Sequence, residues 1–242
     1  MSTDGRNVGE NLIAMTYVTD FGTLFFPKYC SSCNRNLMHY EKAVCMHCLA
    51  HLPRLQMHDE RDNAVDKLFW GRIELEAATA FLSMPRNGIS HRLIHRLKYH
   101  GDQEVGERLG ALFAHELLES KRMKGIDVIL PVPLHPKKLH VRGYNQCDCI
   151  ARGMAEILGV EVSLNNLTRT HFTASQTRRG RISRWSNVKD VFWVREPEKL
   201  TGKRILLIDD VITTGATIEA CAVPLRKIQG VQLSVAALAV PA

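Results

Sequence analysis

The chain has 242 residues, 45% apolar and 24% charged, which is ordinary globular composition and enough for one sizeable α/β core, or one core plus a small module. A net charge of +7 and a pI of about 9.1 favour phosphate-bearing partners, without separating nucleotides from nucleic acid. No apolar run approaches the roughly 18 residues of a membrane span. The first ten residues, MSTDGRNVGE, lack the basic start and apolar core of a signal peptide. A cytoplasmic location is therefore expected, with the seven cysteines as thiols or metal ligands rather than disulfides.

In chain order, residues 11–26 are amphipathic and read as a helix stopped by Pro27. Residues 28–52 are a cysteine module, and 53–72 a polar connection. "ELEAATAFLSM" reads as a strand. "HRLIHRLKYHGD" and "QEVGERLGALFAHELLESK" read as two helices broken near Gly101. "DVILPVPL" reads as a buried strand whose pairing ends at its prolines. "YNQCDCIARGMAEILG" reads as a helix ending at Gly159, and "VEVSLNNLTRT" as a short strand and turn. Residues 171–194 are charged and without core periodicity, so they read as a long loop. The run Ile205-Leu206-Leu207-Ile208 is a buried strand, a helix is expected over 218–228, and "VQLSVAALAV" is the last strand. After about residue 75 strands alternate with helices, which argues an α/β domain with a mainly parallel sheet over 75–242. The helix and cysteine module form a separate unit over 1–55.

Two features carry chemistry. Cys30 and Cys33, then Cys45 and Cys48, form two C-x-x-C pairs with eleven residues between them. Each pair aims two thiolates at one point, the pattern of a closed structural zinc site that staples a module too small for its own core. The alternative is four unmetallated thiols or a redox pair. His47 and His51 lie close by as possible substitutes, but four thiolates already complete the shell. The second feature is "RILLIDDVITTGAT", a buried strand running into Asp209 and Asp210 and then a small hydroxylic loop before a helix. Adjacent carboxylates resist burial, while such a loop converges backbone N–H groups on an anion. A sugar phosphate answers both, with the acids on its hydroxyls and the loop on its phosphate. "HPKKLHVRGYNQ", at another strand end, offers Lys137, Lys138, Arg142 and Gly143 as a pyrophosphate cradle leading into a helix; a basic surface loop is the bland alternative. Cys147, Cys149 and Cys221 read as packing residues, the pair His91 and His95 as a solvated or packed face, and Lys98 as either a site residue or an exposed lysine.

"LLIDDVITTGAT" resembles the PRPP-binding signature of type I phosphoribosyltransferases. The cysteine pairs, "KYHGD", "PVPLHPKKLHVRGYNQ", "RTHFTASQTRRGRISRWSNVKDVF" and the acidic doublet together resemble one branch of that superfamily. That branch is the ComF family of competence-associated phosphoribosyltransferase-like proteins, and the likeness runs from Phe26 onward. The resemblance implies a type I phosphoribosyltransferase sheet and PRPP bound with Mg²⁺. It implies Asp209 and Asp210 on the ribose hydroxyls and Thr213, Thr214, Gly215, Ala216 and Thr217 around the 5-phosphate. It also puts Gln176, Arg184 and Asn187 in a loop that closes over PRPP, with Arg184 on the pyrophosphate. Transfer of the phosphoribosyl group to an unknown acceptor is one implied function. A non-catalytic role in DNA uptake, with single-stranded DNA or the competence machinery as partner, is another. A zinc-ribbon nucleic-acid binder is the third reading, drawn from the pI and the cysteines.

Overall fold

The computed structural model describes residues 27–170 and 191–242. Five strands make a wholly parallel sheet: β1 (Ala77–Met84), β2 (Val128–Pro131), β3 (Glu161–Val162), β6 (Arg204–Val211) and β7 (Gln232–Pro241), in the order β1-β7-β6-β2-β3. β4 (Leu167–Thr170) and β5 (Val191–Val194) form a separate antiparallel pair. The helices are α1 (Met46–Ala50), α2 (Ala64–Lys67), α3 (Ile89–Tyr99), α4 (Gln103–Glu119), α5 (Pro136–Arg142), α6 (Gln146–Leu158) and α7 (Ala216–Leu225).

The central strands are apolar at successive positions because both faces are covered. In β6, Leu206 and Ile208 join Phe81, Leu93, Leu97, Leu109, Phe113 and Ile150 on the face packed by α3, α4 and α6. Ile205 and Leu207 join Val65, Phe69, Ile218, Cys221 and Leu225 on the face packed by α2 and α7. The sidedness is the period-2 alternation of a strand. The expected mainly parallel α/β sheet is what forms.

Several expectations need correction. The acids do not follow β6 but lie within it, since pairing with β7 continues through Asp209 and Val211. α7 begins at Ala216 rather than 218, because Gly215 adopts a left-handed φ of 75° and the helix starts at once. The basic segment after β2 is a helix, α5: Pro136 opens it, His135 Nδ1 accepts from Lys137 N at 3.2 Å, and Gly143 in the left-handed region closes it. Residues 191–194 are a strand, because Phe192 is buried as it pairs with β4. The connection 53–72 buries Val65 and Phe69 against the sheet, with Asn63 capping α2 and donating to Ala78 O at 2.9 Å. The helix expected over 11–26 and the loop over 171–190 lie outside the described residues. The described cysteine module buries Val44, Leu49 and Leu52 in the same core as Phe81 and Leu93.

α4 and α6 approach closely through glycines. A Cβ on Gly110 would lie 2.2 Å from Ile150 O, and one on Gly153 would lie 2.0 Å from Glu107 O. Backbone cannot yield as a side chain can, so Gly153→Ala and Gly110→Ala should each cost about 1–3 kcal/mol by overpacking. Urea unfolding should show a lower midpoint with the slope unchanged.

Candidate functional site

The acids end β6 at the carboxyl edge of the sheet, where open α/β sheets bind ligands. Being neighbours in a strand, they leave it toward opposite faces, yet a carboxylate oxygen of each and the Cys147 sulfur still lie within 4.8 Å of one another, close enough for the two charges to repel. Asp210, 5% exposed, faces α3 and α6. Lys98 Nζ lies 2.9 Å from its Oδ1, Gln146 Nε2 donates to its Oδ2, and Arg142 Nη1 donates to Gln146 Oε1. Asp209 accepts from its neighbour's backbone N–H at 2.8 Å and from Cys147 Sγ at 3.6 Å. Burial pushes the Cys147 thiol up, so it stays protonated and can donate. Burial first, and then the Asp210 charge, pushes Asp209 up to about 7.

Local structure aims these groups. Asn145 caps α6 by accepting from Cys147 N at 3.3 Å and ties that end to β2 by donating to Val132 O at 3.1 Å. Tyr144 Oη donates to Leu97 O, holding the end of α3 against the start of α6. Lys98 and Gln146 therefore meet on one carboxylate from two helices.

A cleft of about 190 Å³ is lined by both acids, Lys98, Gln146, Cys147, Arg142, Lys138, Arg169 and Thr217. A small hollow of about 30 Å³ adjoins it, sharing Asp209 and Thr217 and lined by Thr213, Thr214, Gly215 and Ala216. Gly215 offers α7 no side-chain cap, and of the first-turn N–H groups Ala216 N donates to Thr214 Oγ1 at 3.5 Å. On the other side a basic cleft of about 400 Å³ is lined by Lys98, Tyr99, Lys137, Lys138 and Arg142, whose guanidinium lies 5.7 Å from the Tyr99 ring centre. The doublet, the 213–217 loop, Lys138 and Arg142 are thus brought together, and Lys137 lines the neighbouring cleft. Gly143 is exposed and lines none of these hollows; it ends α5. Arg184 lies outside the described residues.

Sequence reasoning left Lys98 undecided, gave Gln146 no role, and took Cys147 for packing alone. Gln146 stood in "RGYNQ", so its signal was present; nothing local marks the partner of Lys98, 112 positions away in Asp210.

The four cysteines gather as expected. Their sulfurs lie within 4.8 Å of one another, a set that could hold one ion, and Cys33 Sγ is 3.7 Å from Cys45 Sγ. His47 and His51 are exposed, with ring centres 4.4 Å apart and planes tilted by 37°. Among the described residues the only other such group is Cys147, Asp209 and Asp210. His91 and His95 belong to neither; their rings stack 6.4 Å apart. No helix among the described residues is long and apolar enough to cross a membrane.

The raised Asp209 has a stability consequence. Its folded form keeps a proton that the unfolded chain releases near 3.8, so the stability it contributes is full below that pH and is lost as pH rises through about 7. Thermal melts of parent and Asp209→Asn from pH 4 to 8 should show the parent losing ground to the variant across that window.

No family model matches the chain. The DNA utilization protein YhgH of Shigella flexneri is 30% identical over 193 residues, covering 78% of this chain and 80% of that protein. Competence protein F of Haemophilus influenzae is 31% identical over 152 residues, 61% of this chain and 66% of that protein. Among solved structures, a purine phosphoribosyltransferase from Pyrococcus horikoshii Ot3 is 20% identical over 56% of this chain and 73% of its own, at a TM-score of 0.38. An adenine phosphoribosyltransferase is 16% identical over 63% and 69%, at a TM-score of 0.32. With 30% identity extending over four-fifths of the Shigella protein, the chain belongs to the ComF family, whose relatives here are named DNA utilization protein and competence protein.

Proposed function

We propose that this chain binds PRPP with Mg²⁺ and transfers its phosphoribosyl group to an acceptor, releasing pyrophosphate. The observation that carries the reading is the adjoining pair of hollows that share Asp209 and Thr217: acids line one and the Gly215 loop lines the other. In this reading the loop N–H groups and hydroxyls take the 5-phosphate. The two carboxylates accept from ribose hydroxyls and favour positive charge developing on the ring. Lys138 and Arg142 stand where cations would stabilise the pyrophosphate leaving group. Mg²⁺ bound with the substrate supplies further neutralisation of that leaving group. The carboxylates already engage Lys98, Gln146 and Cys147, so substrate oxygens and water would supply most of its ligands.

A second reading, PRPP binding without chemistry in DNA handling, draws on the basic cleft beside Tyr99 and on the relatives' names, DNA utilization protein and competence protein. Titration calorimetry with PRPP and Mg²⁺, followed by a pyrophosphate-release screen over amines and nucleobases, separates the two. Binding with release supports transfer; binding without release in any arm supports the second reading. In Asp209→Asn/Asp210→Asn, affinity should fall by about 1.5–3 kcal/mol per lost charge-assisted bond. Equal affinity in parent and double variant would sink the site assignment.

The four cysteines hold zinc in this proposal, within a module spanning residues 1–55 beside a phosphoribosyltransferase-like domain over 75–242. A tetrahedral ion with Zn–S bonds of about 2.3 Å sets sulfurs about 3.8 Å apart, and the Cys33–Cys45 separation of 3.7 Å fits. Four sulfurs close the shell, so the ion is structural. Metal analysis of chelator-free protein should return about one zinc per chain. Cys30→Ser or Cys48→Ser should lower the melting temperature while leaving PRPP binding at least partly intact. A metal-free folded protein with four titratable thiols would overturn this.

A further inference from the structure

The phosphate-loop side of the site is braced by a segment that none of its motifs includes. Residues 66–73 form a compact turn behind the 213–217 loop, closed by Arg72 N to Phe69 O at 3.0 Å and Ile73 N to Phe69 O at 3.1 Å. Phe69, 2% exposed, packs against Gly215; a Cβ there would sit 2.7 Å from its Cε1. Arg72 then reaches three places at once. Its Nη1 donates to Leu68 O at 2.9 Å and to Thr214 O at 2.7 Å, while Nε and Nη2 both donate to Glu219 Oε2.

Glu219 sits in the first turn of α7, the helix whose first residues, Ala216 to Ile218, line the loop hollow. A bare carboxylate there would repel an incoming phosphate, and a guanidinium upon it removes most of that repulsion. A carbonyl of the loop itself, Thr214 O, is held by Arg72 Nη1.

We propose that Arg72 is a positioning residue for anion binding: it latches the 213–217 loop to the 66–73 turn and screens Glu219 from the bound phosphate. This rests on the reading of that loop as the phosphate site, and it goes beyond it by adding a residue outside the acidic-doublet motif. The latch itself is a property of the ligand-free chain, which makes it separately measurable. Arg72 acts through Thr214 and Glu219 and does not line the hollow.

The test uses the full chain as parent, Arg72→Ala, Arg72→Lys and Arg72→Ala/Glu219→Gln, with melting temperatures recorded for each. Amide hydrogen exchange without ligand should show residues 213–217 exchanging about tenfold faster in Arg72→Ala, with the rest of the sheet unchanged. Ribose 5-phosphate, titrated calorimetrically, should bind about tenfold more weakly to Arg72→Ala and with intermediate affinity to Arg72→Lys. It should regain most of its affinity in Arg72→Ala/Glu219→Gln, because the unscreened carboxylate is gone. A purely structural loss would not be rescued in this way. Unchanged exchange at 213–217 in a folded Arg72→Ala overturns the latch, and a double variant no tighter than Arg72→Ala overturns the screening. A parent that binds no ribose 5-phosphate or PRPP overturns the phosphate reading and the screening with it, while the exchange result still decides the latch.

Discussion

Two carboxylates at the end of one buried strand are the constraint around which the rest of the structure is arranged. A strand paired on both sides and packed on both faces has no room for unpartnered charge. Placing the acids at consecutive positions sends one to each face, and each face must then answer its own charge. On the α3–α6 face a lysine and a glutamine do so, with an arginine behind the glutamine. Across the strand the answer is different. Asp209 accepts from a thiol and a backbone N–H, and burial together with the neighbouring Asp210 charge raises its affinity for a proton. One carboxylate is thus held by a cation, and the other has its pKa raised to about 7.

That division depends on packing some distance away. Lys98 reaches Asp210 only because α3 ends beside the start of α6, where Tyr144 bonds Leu97 O. α6 stands where it does because Gly110 and Gly153 let α4 come within backbone contact of it. The cysteine module leans on the same helices: Arg92 of α3 donates to Ser32 O at 3.0 Å, and the module's apolar residues merge with the sheet's first face. α3 thus touches both the module and the site, through Arg92 near one end and Lys98 near the other.

The opposite face has its own chain of support, from the sheet through Phe69 to Gly215 and from Arg72 to Thr214 and Glu219. The two faces thus hold different parts of the site. One holds Asp210 through Lys98 and Gln146, and the other shapes the loop at the start of α7. The site lies where both meet, at the carboxyl edge of β6.

The sequence by itself determined the parallel α/β class, the four clustered cysteines, and the strand–loop–helix that brings Asp209 to the hollow lined by Gly215. Each is a local matter of apolar period, ligand spacing or turn chemistry, and such patterns survive without knowledge of neighbours. Element limits were less legible where context decides them. α5 looked like a loop because its seven residues bury none of their side chains. Residues 191–194 looked like loop because their pairing partner is more than twenty positions earlier in the chain. Only the tertiary structure decided which groups answer the two acids. Lys98, Gln146 and Cys147 come from other elements, and a lysine on a helix carries no mark of what it will face. Arg72 is the same case, an arginine in a polar stretch until the fold sets Thr214 and Glu219 before it. Contacts between residues far apart in the chain depend on how helices are laid on the sheet, and no local pattern encodes that.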